Sequence, residues 1–295
     1  MYLIKIFSDF CSTEKAKENY ERIYDAFKMI DYGPGKKVYF TEGDIYTHAI
    51  ILNQAMPPLT ILPKNVIGFS FKPYELVHIG NRFIEYAKNY IGKYYIGSKH
   101  NLEDPFVEGF SYMWFSNPRR SIPLSEKKSI MSIIVSEKRF APGHQYRHQV
   151  VEAIIKNDLP IDIYGRGSSF YKNSTDKKNS TDKNSTDKNK IKGEFHDDSP
   201  YENYIFSICI ENFSNHHYFS EKIMSPLMYN CMPVYWGCTN IHSYFEEVIL
   251  LTGDLNKDMN LIVEILKNPL AFYKPTYSEK NKKKINLIEN IDTLF

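Results

Sequence analysis

Short apolar runs alternate with apolar residues at helical spacing along most of the chain. Tyr2 to Phe7 is a run of strand length, and Ala16, Tyr20, Ile23, Tyr24, Phe27 and Ile30 then recur with helical periodicity. Lys37 to Thr41, Thr47 to Leu52 and Val66 to Phe71 are further strand-like runs, punctuated by Gly43, Pro57, Pro58 and Pro63. Leu76, Ile79, Phe83, Ala87 and Tyr90 predict one amphipathic helix, and Lys93 to Ile96 another strand. The pattern lapses over Asn117 to Pro123, after an aromatic segment ending FSYMWF, and the lapse predicts a domain boundary. The rhythm then restarts. Ile130 to Val135, Ile161 to Tyr164, Tyr204 to Ile210, Val234 to Trp236 and Val248 to Leu251 read as strands. Between them, Val150, Val151, Ile154 and Ile155 mark one helix, Glu221 to Cys231 a second, and Ile241 to Phe245 a short third. Two successive β/α halves predict an α/β protein of two Rossmann-like, doubly wound domains facing each other across a cleft. They span residues 1–122 and 123–272, and a C-terminal tail over 273–295 reads as helical.

One interruption stands apart. Residues 173–190, NSTDKKNSTDKNSTDKNK, repeat NSTDK three times without a large apolar side chain, and so cannot offset the entropy of ordering; they read as a disordered surface insertion. Asn173, Asn179 and Asn184 each open a glycosylation sequon, as does Asn212. The opening MYLIKIFSDF breaks at Ser8 and Asp9 before a signal-peptide core forms, and no apolar run approaches the ~18 residues of a membrane span. The expectation is a soluble, cytoplasmic or otherwise intracellular protein with unmodified sequons and no membrane partner.

Composition narrows the partners. Thirty-seven Lys and Arg against thirty-five Asp and Glu leave a formal charge of +2, so no basic field draws the molecule to nucleic acid. Four cysteines, at 11, 209, 231 and 238, lie far apart or in apolar context and read as reduced thiols. The histidines lack a ligand spacing shared with Cys or carboxylates, and Asp197-Asp198 and Glu42-Gly43-Asp44 read as solvated loop charges, so no metal site is expected. His216-His217 remain candidates for an acceptor or phosphate contact.

The chemistry concentrates where strands of the second half end. One strand ends in Glu211-Asn212, and a polar loop leads to Tyr218 and a helix start at Ser220-Glu221-Lys222, with Ser220 placed as N-cap. In an open α/β sheet ligands bind outside the carboxyl ends of the strands, so Asn212, Tyr218, Glu221 and Lys222 share the ligand side. A helix N-terminus with an adjacent Lys suits a diphosphate, and Glu221 suits ribose hydroxyls. A second cluster, Ser136, Gly143, His144 and Arg147, stands between the half's first strand and its helix, where an Arg fork suits a phosphate.

Glu211-Asn212, the downstream Tyr218-Phe219-Ser220-Glu221-Lys222 and Pro233-Val234-Tyr235-Trp236-Gly237 together resemble the α1,3/4-fucosyltransferases. The resemblance takes in Ile163 to Gly167 and covers most of residues 129 to 250. It implies the GT-B arrangement of two Rossmann-like domains and inverting transfer of fucose from GDP-fucose to an oligosaccharide hydroxyl, with no obligatory metal cofactor. By matched position it implies that Arg147 and Lys222 contact the diphosphate, Glu221 the ribose, and Asn212 and Tyr218 the donor sugar or phosphates.

Inverting transfer needs a base on the acceptor hydroxyl. The family's is a Glu after a strand of the first half, and the matching position here is Lys72, which cannot accept a proton when charged. Glu75 is the first substitute and Glu108 the second. The aromatic loop Phe106 to Phe115, with Tyr112 and Trp114, is a candidate acceptor platform. Two rival readings stand: a nucleotide-sugar or glycan binding protein that has lost its base, and a GT-B transferase using another GDP-sugar.

Overall fold

The computed structural model describes residues 1–118, 120–172, 190–196 and 198–295. The NSTDK repeat through residue 189, with its sequons at Asn173, Asn179 and Asn184, lies outside the described residues, as do Arg119 and Asp197.

Six parallel strands form the first sheet: β1 (Tyr2–Ser8), β2 (Val38–Thr41), β3 (His48–Leu52), β4 (Val66–Phe69), β5 (Lys93–Ile96) and β6 (Phe106–Glu108), in the order β2-β1-β3-β4-β5-β6. A sheet covered on both faces needs near-continuous apolar strands, and HAIIL in β3 supplies one. Ile50 and Leu52 point into one core with Ile4, Ile6 and Phe40, while Ala49 and Ile51 point into the other with Phe83 and Ala87. Six more parallel strands form the second sheet: β7 (Ser129–Ile134), β8 (Ile161–Tyr164), β9 (Ile191–Gly193), β10 (Tyr204–Ile210), β11 (Met232–Trp236) and β12 (Ile249–Leu250). Their order is β12-β11-β10-β7-β8-β9, so chain direction across the sheet reverses between β7 and β10. In such a sheet the crevice at that switch point is where ligands bind.

The helices are α1 (Thr13–Ile23), α2 (Tyr74–Val77), α3 (Asn81–Tyr90), α4 (Pro142–Lys156), α5 (Glu221–Met228), α6 (Leu255–Lys267), α7 (Pro269–Phe272), α8 (Glu279–Ile285) and α9 (Ile291–Leu294). The single helix expected from Leu76 to Tyr90 is instead α2 and α3. His78 takes a left-handed conformation (φ 50°) and Gly80 an extended one, which ends α2 after one turn. Asp258, buried in α6, accepts hydrogen bonds from Thr252 and Gly253 and from the Tyr146 hydroxyl of α4, locking those two helices together.

The last helices leave the second sheet and return to the first. The Tyr24 hydroxyl donates to the Ile285 carbonyl at 2.8 Å, Lys93 Nζ donates to the Leu294 carbonyl at 3.2 Å, and Phe295 stacks on Tyr2. Ile285, Leu287, Ile288 and Ile291 accordingly share a core with β1 and α1. All four cysteines are free thiols. No helix among the described residues is long and apolar enough to cross a membrane.

Candidate functional site

A cavity of about 580 Å³ opens over the ends of β7, β8 and β10. The second half contributes Ser136, Arg147, Arg166, Glu194, Phe195, Glu221 and Lys222, and the first contributes Arg22, Trp114, Phe115 and Ser116. It therefore lies between the halves and at the switch point of the second sheet.

Local sequence explains how the cations reach it. Pro142 stands in the first turn of α4 with φ pre-set for the helix, and Gly143 lets that turn meet β10; a Cβ on Gly143 would sit 1.7 Å from the Glu211 carbonyl. One turn on, Arg147 is buried and donates through Nη2 to the Ile210 carbonyl. Burial lowers its pKa, and the carboxylates of Glu211 and Glu221 oppose that fall. On the other side of the switch point Ser220 caps α5, accepting from the Lys222 amide.

Beneath α5 lies Glu211, which the sequence marks as a strand end and a motif residue without a role of its own. Glu211 is fully buried and accepts from the Ser220 amide at 2.8 Å and the Ser220 hydroxyl at 2.7 Å. Its carboxylate stands 3.5 Å from Lys222 Nζ, which also donates to Ser220 Oγ at 3.0 Å and to Glu221 at 2.9 Å. Burial raises the Glu211 pKa, against the pull of Lys222. Lys222 is held above its ordinary value: burial works to lower it, and Glu221 and Glu211 together more than offset that. Lys222 thus stands at the start of α5 paired with two carboxylates, Glu211 and Glu221.

The remaining expected residues do not all join this wall. Ser136 does, with its carbonyl accepting from His148 Nε2. His144 does not line the cavity; it is buried, accepts from the Ala141 amide and hydrogen-bonds Asn212. Asn212 meets α4 through its carbonyl, which accepts from the Gly143 amide. Tyr218 is buried in the core shared by the two halves, because Gly97 lets β5 approach the loop there; a Cβ on Gly97 would come within 3.0 Å of Tyr218 Cβ. Of the two rings named for a candidate acceptor platform, Trp114 reaches the cavity, whereas Tyr112 is buried against Phe69 and Phe110. His216 and His217 bond Thr239 and Tyr244 beyond the cavity wall.

Glu75 and Glu108 also lie outside the cavity. Glu75, at the start of α2, accepts from Asn215 Nδ2 on both oxygens, at 2.9 and 2.8 Å, and His100 Nε2 stands 3.5 Å away. Asn215 belongs to the loop between β10 and α5, so this carboxylate of the first half meets the loop that carries Tyr218 in the second. Glu108 is exposed and accepts from the Lys99 amide at 3.3 Å. Lys72 is exposed. Among the described residues no three His, Cys, Asp or Glu side chains are grouped to hold a metal ion.

The His144 environment has a measurable consequence. Burial, then the charges of Arg147, Lys138 and Lys222, push its pKa down from 6.5 to about 4. Between those values the unfolded chain binds the proton and the folded chain does not, so this contribution to stability is complete above pH 6.5 and is lost as pH falls toward 4. His144→Gln is expected to flatten the pH dependence of the melting temperature over that window; an unchanged slope would remove His144 as its cause.

Comparison with known proteins bears on the fold and on residues 124–250. Residues 124–250 match the C-terminal domain of glycosyltransferase family 10 (fucosyltransferase). No curated relative matches the chain. Among solved structures, an α1,3-fucosyltransferase with GDP is 10% identical, with 98% of this chain and 90% of that chain covered and a TM-score of 0.50. An α1,3-fucosyltransferase with GDP-fucose gives the same values. An α,α-trehalose 6-phosphate synthase from Burkholderia multivorans is 11% identical, with 83% of this chain and 70% of that chain covered and a TM-score of 0.50. The likeness to these structures is one of fold: two Rossmann-like domains in the GT-B arrangement.

Proposed function

We propose, on the premise that residues 124–250 form the C-terminal domain of a family 10 glycosyltransferase, a fucosyltransferase, that the protein transfers fucose from GDP-fucose, with inversion, to a hydroxyl of an oligosaccharide acceptor. The family match supports glycosyltransferase activity; the donor sugar, the stereochemistry and the acceptor are our reading. One observation carries it: Arg147 and Lys222, from helices on either side of the switch point, line one cavity.

In this reading the diphosphate lies between the two cations and the start of α5, and Glu221 accepts from the ribose hydroxyls. Ser136 borders the phosphates, while Asn212, His144 and Tyr218 support the surrounding loops. The acceptor oxygen attacks the anomeric carbon and the bond from that carbon to the phosphate oxygen breaks. GDP departs with the electron pair, and its growing charge is met by Arg147 and Lys222. The acceptor proton passes to a carboxylate of the first half, Glu75 in the first instance and Glu108 in the second. The reading assigns no metal to the step.

Incubation with GDP-fucose and an N-acetyllactosamine acceptor is expected to release GDP. Arg147→Ala and Lys222→Ala should each weaken GDP binding by about 1.5–3 kcal/mol, the range of a charge-assisted hydrogen bond, or roughly 10- to 150-fold. Unchanged affinity and turnover in both variants would refute the phosphate assignment. Tight GDP binding without release on any acceptor would leave a binding protein, and faster release from GDP-mannose would change the sugar.

A further inference from the structure

Outside the cavity, one polar contact crosses the seam between the halves. Glu75 follows β4 at the start of α2, and Asn215 follows β10 in the loop that leads to α5, so both stand where the strands of their sheets end. A helix of one turn, with no side-chain cap at Pro73, leaves the Glu75 side chain unfixed by its own element. Among the described residues the carboxylate makes no hydrogen bond within its own half; His100 Nε2 comes only to 3.5 Å, its ring packed on Tyr74. Asn215 Nδ2 supplies the hydrogen bonds instead, to one oxygen at 2.9 Å and to the other at 2.8 Å. Asn215 is itself held. Its carbonyl accepts from the Thr239 amide at 3.1 Å, while the neighbouring Ser214 hydroxyl donates to the Gly237 carbonyl at 2.9 Å and the His217 amide to Asn240 Oδ1 at 2.8 Å. All three partners lie in the turn after β11, which straps the loop to the second sheet.

We propose that Asn215 is the positioning residue for Glu75, so that the second half aims the proton acceptor that the first half supplies. The proposal rests on the reading of Glu75 as the base. Orientation matters in such a step, because a misplacement of about 1 Å can cost on the order of 10²-fold in rate. The residue type fits the task. A neutral amide orients both oxygens without bringing a formal charge, whereas a Lys or Arg in its place would favour the ionised carboxylate and so weaken a base. Asn215 does not line the cavity, so its effect on turnover runs through Glu75.

Steady-state GDP release from GDP-fucose with an N-acetyllactosamine acceptor, beside calorimetric titration of GDP into the full chain, tests this. Asn215→Ala is expected to lower kcat roughly 10- to 100-fold while GDP affinity stays within about twofold of the unaltered protein. Asn215→Asp keeps the shape but turns an acceptor toward the Glu75 oxygens, and should lose at least as much. In a Glu75→Gln background Asn215→Ala should lower kcat no further, because the group it aims is already gone. If Glu75→Gln is slow but both Asn215 variants keep full kcat, or if Asn215→Ala slows Glu75→Gln by the same factor again, the positioning role falls and the base stands. A loss of GDP affinity that matches the loss of kcat in both variants places Asn215 with the donor site and likewise overturns the role. Full turnover of Glu75→Gln, or no GDP release by the unaltered protein, overturns the base and the positioning role together.

Discussion

Glu75→Gln is expected to lower turnover by roughly 10²- to 10⁴-fold, the range contributed by a positioned general base, with GDP affinity unchanged. The Lys at position 72 cannot accept a proton while charged, so a transferase built on this chain needs another carboxylate of the first half near the donor side. Glu75 lies outside the cavity itself, but Asn215, in the loop that leads to α5, holds both its carboxylate oxygens and so fixes the plane of the group at the seam between the halves. Gln keeps the shape of the side chain and one acceptor for Asn215, so the seam between the halves should survive while basicity is removed. Steady-state GDP release gives kcat, and calorimetric titration gives GDP affinity. A fall in kcat with intact binding identifies the base. Glu108→Gln is measured beside it: a loss there, with Glu75→Gln active, moves the role to Glu108, and full activity of both variants overturns the assignment of either.

The parts of this site that were legible in the sequence are those defined by local position. Arg147 and Lys222 stand where a strand end gives way to a helix start, a relation visible in the pattern of residues and enough to place both at one cavity. Strands longer than three residues were visible for a similar reason, because a parallel strand covered on both faces is a continuous apolar run. β6 (FVE) and β9 (IKG) break off in a charged residue or glycine and show no apolar run, unlike the shorter β12, which lies within the run Val248 to Leu251. The break between α2 and α3 was hidden because the apolar spacing runs on through His78, whose left-handed backbone is set by the turn and not by hydrophobicity.

Long-range contacts were illegible in principle. Nothing local says that Ile285 to Ile291 return to the first sheet, or that Tyr218 is drawn into the shared core where Gly97 admits it. Glu194 and Phe195 follow a strand that the pattern did not reveal, so their place in the cavity came only from the folded chain. Glu211 did leave a trace. A carboxylate directly after the fully apolar end of a strand is either at the surface or held by dedicated donors, and here Ser220 supplies them.

That arrangement makes Glu211→Ala the substitution with the largest expected effect on stability, about 3–5 kcal/mol. The magnitude follows from what is left behind. The Ser220 amide and hydroxyl lose a charged acceptor, each such bond contributing about 1.5–3 kcal/mol, whereas Lys222 is partly exposed and keeps Glu221, so its stranded charge adds little. For a chain of this length the loss corresponds to a fall in melting temperature on the order of 10 °C. Because Ser220 also caps α5, the same change loosens the helix start on which Lys222 sits, so GDP affinity should drop at least as far as in Lys222→Ala. Glu211→Gln retains one acceptor for Ser220 and should fall between Glu211→Ala and the unaltered protein in both measurements. A Glu211→Ala protein that melts within about 2 °C of the original and binds GDP normally would show that the carboxylate neither supports α5 nor positions Lys222.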